Sequence, residues 1–190
     1  MQPEKTIYLI RHALPDFPGG VKLCLGPKVD LPLGSEGLAQ AAALRERFER
    51  LPIEAVYASP MRRAQQTAAA IAASGRPLIT LDALTELSCG EWDGMSFEEI
   101  RRRHPDGMRG ALPAGAERDE EGLARMLNAL KAIDAGTQRC AALVAHGGVN
   151  RLLLCALAGL PLEEKKRFSQ DYAGVAAVEK RDGVWRTVVK

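Results

Sequence analysis

A short apolar run near the start of the chain, from Thr6 to Ile10, constrains the fold more than any other feature. Its five residues are apolar or β-branched without interruption, and Arg11 and His12 follow directly. A continuous apolar run of this length is typical of a strand that is buried on both faces, as in a parallel sheet covered by helices. Such a sheet binds ligands beyond the carboxyl ends of its strands. We therefore expect Arg11 and His12 to lie at the ligand-binding edge of an α/β sheet.

The rest of the sequence alternates between short apolar runs and segments with helical periodicity. Ser59 and Pro60 are residue types that favour the first positions of a helix, and Asp182 with Gly183 is typical of a two-residue hairpin turn. The alternation predicts a single domain over residues 1–190 with a three-layer α/β/α fold, a mainly parallel central sheet and an antiparallel C-terminal edge hairpin. The other predicted strands cover 55–58, 78–81, 141–145, 175–180 and 184–189, and the predicted helices cover 35–51, 60–75, 96–103, 117–135 and 149–159.

Composition and charge argue against several other classes of protein. The 26 basic and 24 acidic residues leave a net charge of +2, which does not indicate a nucleic-acid partner. The sequence has no apolar run long enough to predict a membrane-spanning helix. The four cysteines show no paired spacing, so we expect no zinc site and a reduced, cytoplasmic protein.

Charged and histidine residues recur at the predicted ends of strands, where their side chains can meet in one cleft. Arginine binds phosphoryl oxygens through paired N–H groups, and a neutral imidazole is a good nucleophile near pH 7. A carboxylic acid can supply the proton that the departing oxygen of a phosphate ester needs. Together these residue types predict phosphoryl transfer. The candidate residues are Arg11, His12, Arg62, Glu86, His146 and Gly147.

Each of these residues also has a simpler interpretation. Arg62 could be a solvated charge in the first turn of a helix, and we expect this for its neighbour Arg63. Glu86 could lie on the surface, and His146 could be a hydrogen-bonded residue of the core. It is the combination that favours a catalytic site.

Several segments, in order along the chain, resemble the signatures of the histidine phosphatase superfamily, which includes the cofactor-dependent phosphoglycerate mutases. The family's Arg-His-Gly tripeptide corresponds to Arg11–Ala13, with alanine in the third position. The stretch Leu23–Gly37 looks like the family's loop with Gly, Asp-x-Pro-Leu and a helix-opening glycine, and Val56–Ala68 is very similar to its second signature. Leu84–Gly94 resembles its acid-bearing segment, and Val144–Gly148 resembles its last motif.

This resemblance implies a phosphatase in which His12 is the nucleophile and becomes phosphohistidine. It also implies that Arg11, Arg62 and His146 bind the phosphoryl oxygens. Glu86 is implied as the proton donor, and afterwards as the base that activates the attacking water. The family needs no metal and no organic cofactor for this chemistry, so none is expected here.

The resemblance also sets the expected partners. A backbone N–H at Gly147 is expected to add a donor to the phosphoryl site. The expected substrate is a small phosphorylated metabolite, and inorganic phosphate is the expected product. No nucleic acid or membrane partner is expected, and the protein is expected to be a monomer or a homodimer.

Three differences from the family pattern leave other functions open. Ala13 replaces the family's glycine, Leu14 stands where an acidic residue is frequent, and Pro18 stands where many members have asparagine. One alternative is a cofactor-dependent phosphoglycerate mutase, and another is a phosphate-binding member without turnover. Within the phosphatases, the segment Gly26–Leu33 and the short chain resemble the α-ribazole phosphatases, so α-ribazole phosphate is one substrate hypothesis.

Overall fold

A computed structural model describes residues 2–105 and 112–188 of the chain. No helix within these ranges is both long enough and apolar enough to cross a lipid bilayer. The described strands are β1 (Lys5–Arg11), β2 (Ala55–Ala58), β3 (Leu78–Thr80), β4 (Cys140–Ala145), β5 (Val175–Arg181) and β6 (Val184–Val188). The described α-helices are α1 (Ser35–Glu49), α2 (Arg62–Ala72), α3 (Phe97–Arg103), α4 (Asp119–Ala135) and α5 (Gly147–Leu157).

The six described strands form one sheet in the order β3-β2-β4-β1-β5-β6. Strands β1 to β4 run parallel to their neighbours within this set, whereas β5 lies antiparallel to β1 and β6 antiparallel to β5. The register places Arg11 opposite Ala145, so the next residues, His12 and His146, leave adjacent strands side by side. The predicted fold class, a mainly parallel sheet with an antiparallel C-terminal hairpin, is confirmed.

The core lies on both faces of the sheet. On β1, Leu9 packs with residues of α4 and α5, while its neighbour Ile10 packs with residues of α1 and α2. Neighbouring residues of a strand point to opposite faces, so the continuous apolar run of β1 serves both layers. The three-layer arrangement follows from this double burial.

Several predicted boundaries differ from the observed ones. The helix predicted to start at Ser59 and Pro60 starts at Arg62, with Met61 at the N-cap. The hairpin turn at Asp182 and Gly183 is confirmed by positive φ angles of 51° and 74°. The predicted last strand extends to residue 189, which lies outside the described residues, as do 106–111 of the loop predicted over 105–116.

Candidate active site

Two histidines form the centre of the site, because each follows a neighbouring parallel strand. His12 follows β1 and His146 follows β4, and their ring centroids are 5.1 Å apart. Both side chains are buried, with 4% of His12 and 0% of His146 exposed. The sequence predicted both histidines at this edge of the sheet, and the strand register explains why they meet.

The environment of His12 keeps its imidazole neutral and fixes its orientation. Its Nδ1 lies 2.8 Å from the carbonyl oxygen of Ala13, a contact in which only a protonated Nδ1 can act as the donor. Burial, with the charges of Arg63 and Arg11, lowers the pKa of His12 to about 3. The ring is therefore uncharged at neutral pH, and its Nε2 carries the lone pair that a nucleophile requires.

His146 is held by a serine that precedes α2. Its Nε2 lies 2.8 Å from Ser59 Oγ, and the same hydroxyl oxygen accepts a hydrogen bond from the backbone N–H of Met61 at 3.3 Å. The hydroxyl hydrogen of Ser59 is then free to point at Nε2, which would leave the hydrogen of the imidazole on Nδ1. Burial, with the charges of His12 and Arg63, lowers the pKa of His146 well below its usual value.

Arg11 lies at the wall of the site, where its guanidinium is fixed on two sides. Its Nη1 donates to the carbonyl oxygen of Gln170 at 2.7 Å, and its charged group lies 3.9 Å from the ring centroid of Tyr172. Tyr172 also approaches His12, with 5.6 Å between the ring centroids. The two contacts fix the orientation of the guanidinium.

The burial of the two arginines that begin α2 differs from the sequence interpretation. Arg62 is exposed, and its backbone N–H donates to Asp30 Oδ1 at 2.7 Å. Arg63, which was predicted to be solvated, is 0% exposed, and its charge lowers the pKa values of both histidines. Its Nη1 donates to the carbonyl oxygen of Val29 at 3.1 Å. The structure thus places Arg63, and not Arg62, beside His12.

Glu86 lies at the N-terminus of α5, where its carboxylate accepts backbone hydrogen bonds. The donors are the N–H groups of Gly148 at 2.9 Å, Val149 at 3.1 Å and Leu87 at 2.9 Å. A Cβ atom at position 148 would lie 2.4 Å from Glu86 Oε1, so glycine is required there for this contact. The positive end of the α5 dipole thus stabilises the Glu86 carboxylate.

A cavity of about 500 Å³ opens in front of these groups. Arg11, His12, Glu86 and Gly147 line it, whereas Arg63 and His146 do not line it and are fully buried. A Cβ atom at Gly147 would approach Arg11 Nε to 3.2 Å, so the first turn of α5 packs directly on this arginine. Of the predicted site residues, Arg11, His12, Glu86 and Gly147 therefore line the cavity, and His146 is buried against His12.

Three contributors to the site were missed by the sequence interpretation. The face of α2 that carries Arg63 also carries the buried Ala64, Thr67 and Ile71, and this spacing was a signal in the sequence. Ser59 was interpreted only as a helix cap, although its hydroxyl contacts His146. Tyr172 lies in a stretch without periodic signal, and only the folded structure brings it under Arg11.

Comparison with known proteins identifies the class to which this fold and site belong. A family model described as histidine phosphatase superfamily (branch 1) matches residues 7–190. The chain belongs to the histidine phosphatase superfamily. This membership, with the names of its relatives, supports a phosphatase enzyme.

The relatives cover most of the chain at moderate identity. Phosphoserine phosphatase 1 of Hydrogenobacter thermophilus is 29% identical over 182 residues, 90% of this chain and 85% of that protein. Glucosyl-3-phosphoglycerate phosphatase of Mycolicibacterium vanbaalenii is 29% identical over 175 residues, 84% of this chain and 76% of that protein. Probable phosphoglycerate mutase GpmB of Yersinia pestis is 27% identical over 190 aligned positions, 94% of this chain and 86% of that protein.

A solved structure shares the fold over almost the whole chain. The complex of a mycobacterial glucosyl-3-phosphoglycerate phosphatase with VO3 has a TM-score of 0.88 at 24% identity, and the match covers 97% of this chain and 98% of that chain. At this level of identity, the likeness shows the fold alone.

Proposed function

We propose that the protein hydrolyses small phosphomonoesters through a phosphohistidine intermediate on His12. The observation that carries this proposal is a set of four buried nitrogen atoms near His12 without a hydrogen-bond partner among the described residues. Buried donors rarely remain unpaired in proteins, because an unmade hydrogen bond costs free energy. A phosphoryl group brings three oxygen acceptors and the negative charge that arginine binds best. The four atoms are Arg11 Nε, Arg63 Nε, Arg63 Nη2 and His146 Nδ1.

The first step transfers the phosphoryl group to the protein. Nε2 of His12 attacks phosphorus, the new N–P bond forms, and the bond between phosphorus and the ester oxygen breaks. The carbonyl oxygen of Ala13, at 2.8 Å from Nδ1, stabilises the positive charge that develops on the ring. The guanidinium groups of Arg11 and Arg63 stabilise the charge on the transferring oxygens, which is the main form of catalysis in phosphoryl transfer.

Glu86 supplies and then recovers the proton in this scheme. It protonates the departing alkoxide oxygen in the first step, and in the second step it takes a proton from the water that attacks phosphorus. The water oxygen bonds to phosphorus as the N–P bond breaks. Inorganic phosphate then leaves the site, and His12 returns to its neutral form. Both oxygens of Glu86 accept backbone hydrogen bonds, so Glu86 must exchange one of these contacts for the ester during the reaction.

The proposed mechanism needs no metal ion. Arg11 and Arg63 supply the positive charge that a metal would otherwise bring to the phosphoryl oxygens. In the part of the chain that the structure describes, no three His, Cys, Asp or Glu side chains are grouped as metal ligands would be. The α-ribazole phosphate hypothesis remains a prediction that none of the comparisons tests.

Hydrolysis and mutase activity differ in the fate of the phosphohistidine. A mutase must exclude water until an acceptor hydroxyl arrives, which requires a closed site. His12 lines a cavity that is partly open to solvent, which favours hydrolysis. The segment considered as a cover, from Trp92 to Ala116, includes residues 106–111, which lie outside the described residues.

We expect purified protein to release inorganic phosphate from simple monoesters in the presence of excess chelator, faster than it interconverts 2- and 3-phosphoglycerate. One reaction, primed with the bisphosphoglycerate, reports both activities, by phosphate release and by phosphorus NMR. A strict requirement for added Mg²⁺ or Zn²⁺ would contradict the metal-independent mechanism. Mutase turnover that exceeds phosphate release would establish the mutase alternative instead.

Replacing Glu86 with glutamine is expected to slow alkyl phosphates by about 10²–10⁴-fold and p-nitrophenyl phosphate much less. An alkoxide leaves poorly without a proton, whereas p-nitrophenolate is a stable leaving group. Steady-state kinetics on both esters measure the difference. Because Glu86 also caps α5, a thermal melt of the same preparation controls for loss of structure. Equal losses on the two esters would assign Glu86 a positioning role.

A further inference from the structure

The acidic side chains that line the cavity all have partners. Glu117 accepts two hydrogen bonds from Arg125, at 2.7 and 2.9 Å, and Asp119 forms an ion pair with Lys165. Glu86 accepts backbone hydrogen bonds at the start of α5. These contacts neutralise Lys165 and leave none of the three carboxylates free to pair with another cation of the cavity.

Arg151 is a cationic residue of the cavity that none of these carboxylates contacts. It lines the cavity and is partly buried, and its Nε is fully buried. Within residues 2–105 and 112–188, no hydrogen bond or ion pair reaches its guanidinium. A partly buried guanidinium without an acceptor loses hydration and gains nothing in return, so an unpaired arginine of this kind indicates a ligand.

Arg151 lies on the face of α5 that contacts the phosphoryl site at its first turn. Gly147, in the first turn, packs on Arg11, and Arg151 follows it by four residues on the same face of the helix. Four residues of helix span about 6 Å. Gly147, Gly148 and Arg151 all line the cavity, so one face of α5 leads from the phosphoryl site to this cation.

A second unpaired donor lines the same cavity. The indole Nε1 of Trp92 is buried and has no hydrogen-bond partner among the described residues. Indole nitrogen can only donate, as can guanidinium. The cavity beyond the histidines therefore presents donors, and the ligand that matches it must bring acceptors.

We infer that the leaving group of the substrate carries a carboxylate and that Arg151 binds it. This inference rests on the proposed hydrolysis of a phosphomonoester at His12. The free Nε of Arg151 belongs to the edge of the guanidinium that binds a planar carboxylate with two parallel hydrogen bonds. In a phosphorylated three-carbon hydroxy acid the carboxyl carbon is four bonds from phosphorus, about 5 Å away when extended. His12 and Arg151 line one cavity of about 500 Å³, which has room for a substrate of this length.

Two esters with the same three-carbon skeleton test the inference. In sn-glycerol 1-phosphate a hydroxymethyl group replaces the carboxylate of D-3-phosphoglycerate, and the configuration at C2 stays the same. We expect wild-type kcat/KM to favour 3-phosphoglycerate by about 10–100-fold, the usual value of a charge-assisted contact. Arg151→Met should remove this preference mainly through KM, and Arg151→Lys should restore part of it, because lysine keeps the charge and loses the fork.

Lys165→Met is the matched control, since Lys165 is a cation of the same cavity that Asp119 already neutralises. It should leave the ratio of the two kcat/KM values within about threefold of wild type. A ratio that Arg151→Met does not change, or equal losses on both esters, would overturn the assignment of Arg151 while the proposed hydrolysis stands.

Binding measurements separate this inference from the proposed function. In a His12→Asn background, which has no nucleophile, calorimetry gives the dissociation constants of both esters. Tighter binding of 3-phosphoglycerate that disappears with Arg151→Met supports the carboxylate subsite even if the wild-type protein releases no phosphate. Equal dissociation constants for the two esters would overturn the subsite whatever the kinetics show.

Discussion

Replacing His12 with alanine is expected to reduce phosphomonoester hydrolysis by at least about 10⁴-fold, the scale of losing a covalent nucleophile. Nε2 of this buried, uncharged ring is the atom that attacks phosphorus in the proposed mechanism, and none of the neighbouring groups can replace it. Rapid-quench kinetics with a labelled ester should also show no phosphoenzyme in the variant. In the wild type the label should be stable to alkali and labile to acid, as expected for a phosphoramidate.

Two controls keep this result interpretable. Circular dichroism and thermal melts of His12→Ala show whether the fold is retained, and His12→Asn is a second variant that keeps a polar side chain in the buried position. His104→Ala should keep the label, since the His104 ring packs at a tilt against Trp92, 5.6 Å between centroids, and does not line the cavity. Residual activity of His12→Ala within tenfold of wild type would exclude His12 as the nucleophile.

The sequence predicted the edge of the sheet at which the site lies, because the apolar run of β1 has a strong pattern. A strand buried on both faces is continuous in sequence, so its end is easy to locate and Arg11 and His12 follow it. The same reasoning located His146 after β4. That the two rings approach to 5.1 Å depends on the pairing of β1 with β4, whose paired residues are 134 positions apart in the chain; only the fold settles this register.

Ser59 and Glu86 make tertiary contacts that a local sequence pattern does not predict. Ser59 has the residue type of a helix cap, yet α2 starts three residues later and the hydroxyl contacts His146 from the neighbouring strand end. Glu86 was predicted in the site as a proton donor, but its part in capping α5 was not. A carboxylate from one loop that caps a helix 62 residues later leaves no trace in a local pattern.

The burial of Arg63 could have been predicted from the sequence, but Arg63 was expected to be solvated. The periodicity of α2 places Arg63 on the buried face with Thr67 and Ile71, whereas Arg62 falls on the exposed side. The expectation that an arginine in a first turn is solvated overrode this pattern. A buried arginine is rare enough that its position on an apolar face was itself a functional signal.

Replacing Arg63 with methionine is expected to lower kcat/KM by about 10²–10³-fold, the usual loss when one donor to a developing anion is removed. Two of its buried nitrogens, Nε and Nη2, have no protein partner in the described residues and are the donors that we assign to the phosphoryl oxygens. Arg62→Met is the matched control, because it removes the same group one residue away from an exposed side chain. It should cost less than about threefold.

The buried position of Arg63 means that its loss could also act through the fold. Its Nη1 donates to Val29 and lies 3.8 Å from Asp30 Oδ1, so methionine removes contacts to this loop as well as the charge. Inhibition by inorganic phosphate separates the two effects: loss of a phosphoryl ligand should weaken phosphate binding in parallel with kcat/KM, while a structural effect should lower the melting temperature without a matching loss of affinity. Arg63→Lys keeps the charge and should recover part of both phosphate affinity and turnover. If Arg62→Met proves as costly as Arg63→Met, the exposed arginine must reach the phosphoryl group, and the assignment made from burial is wrong.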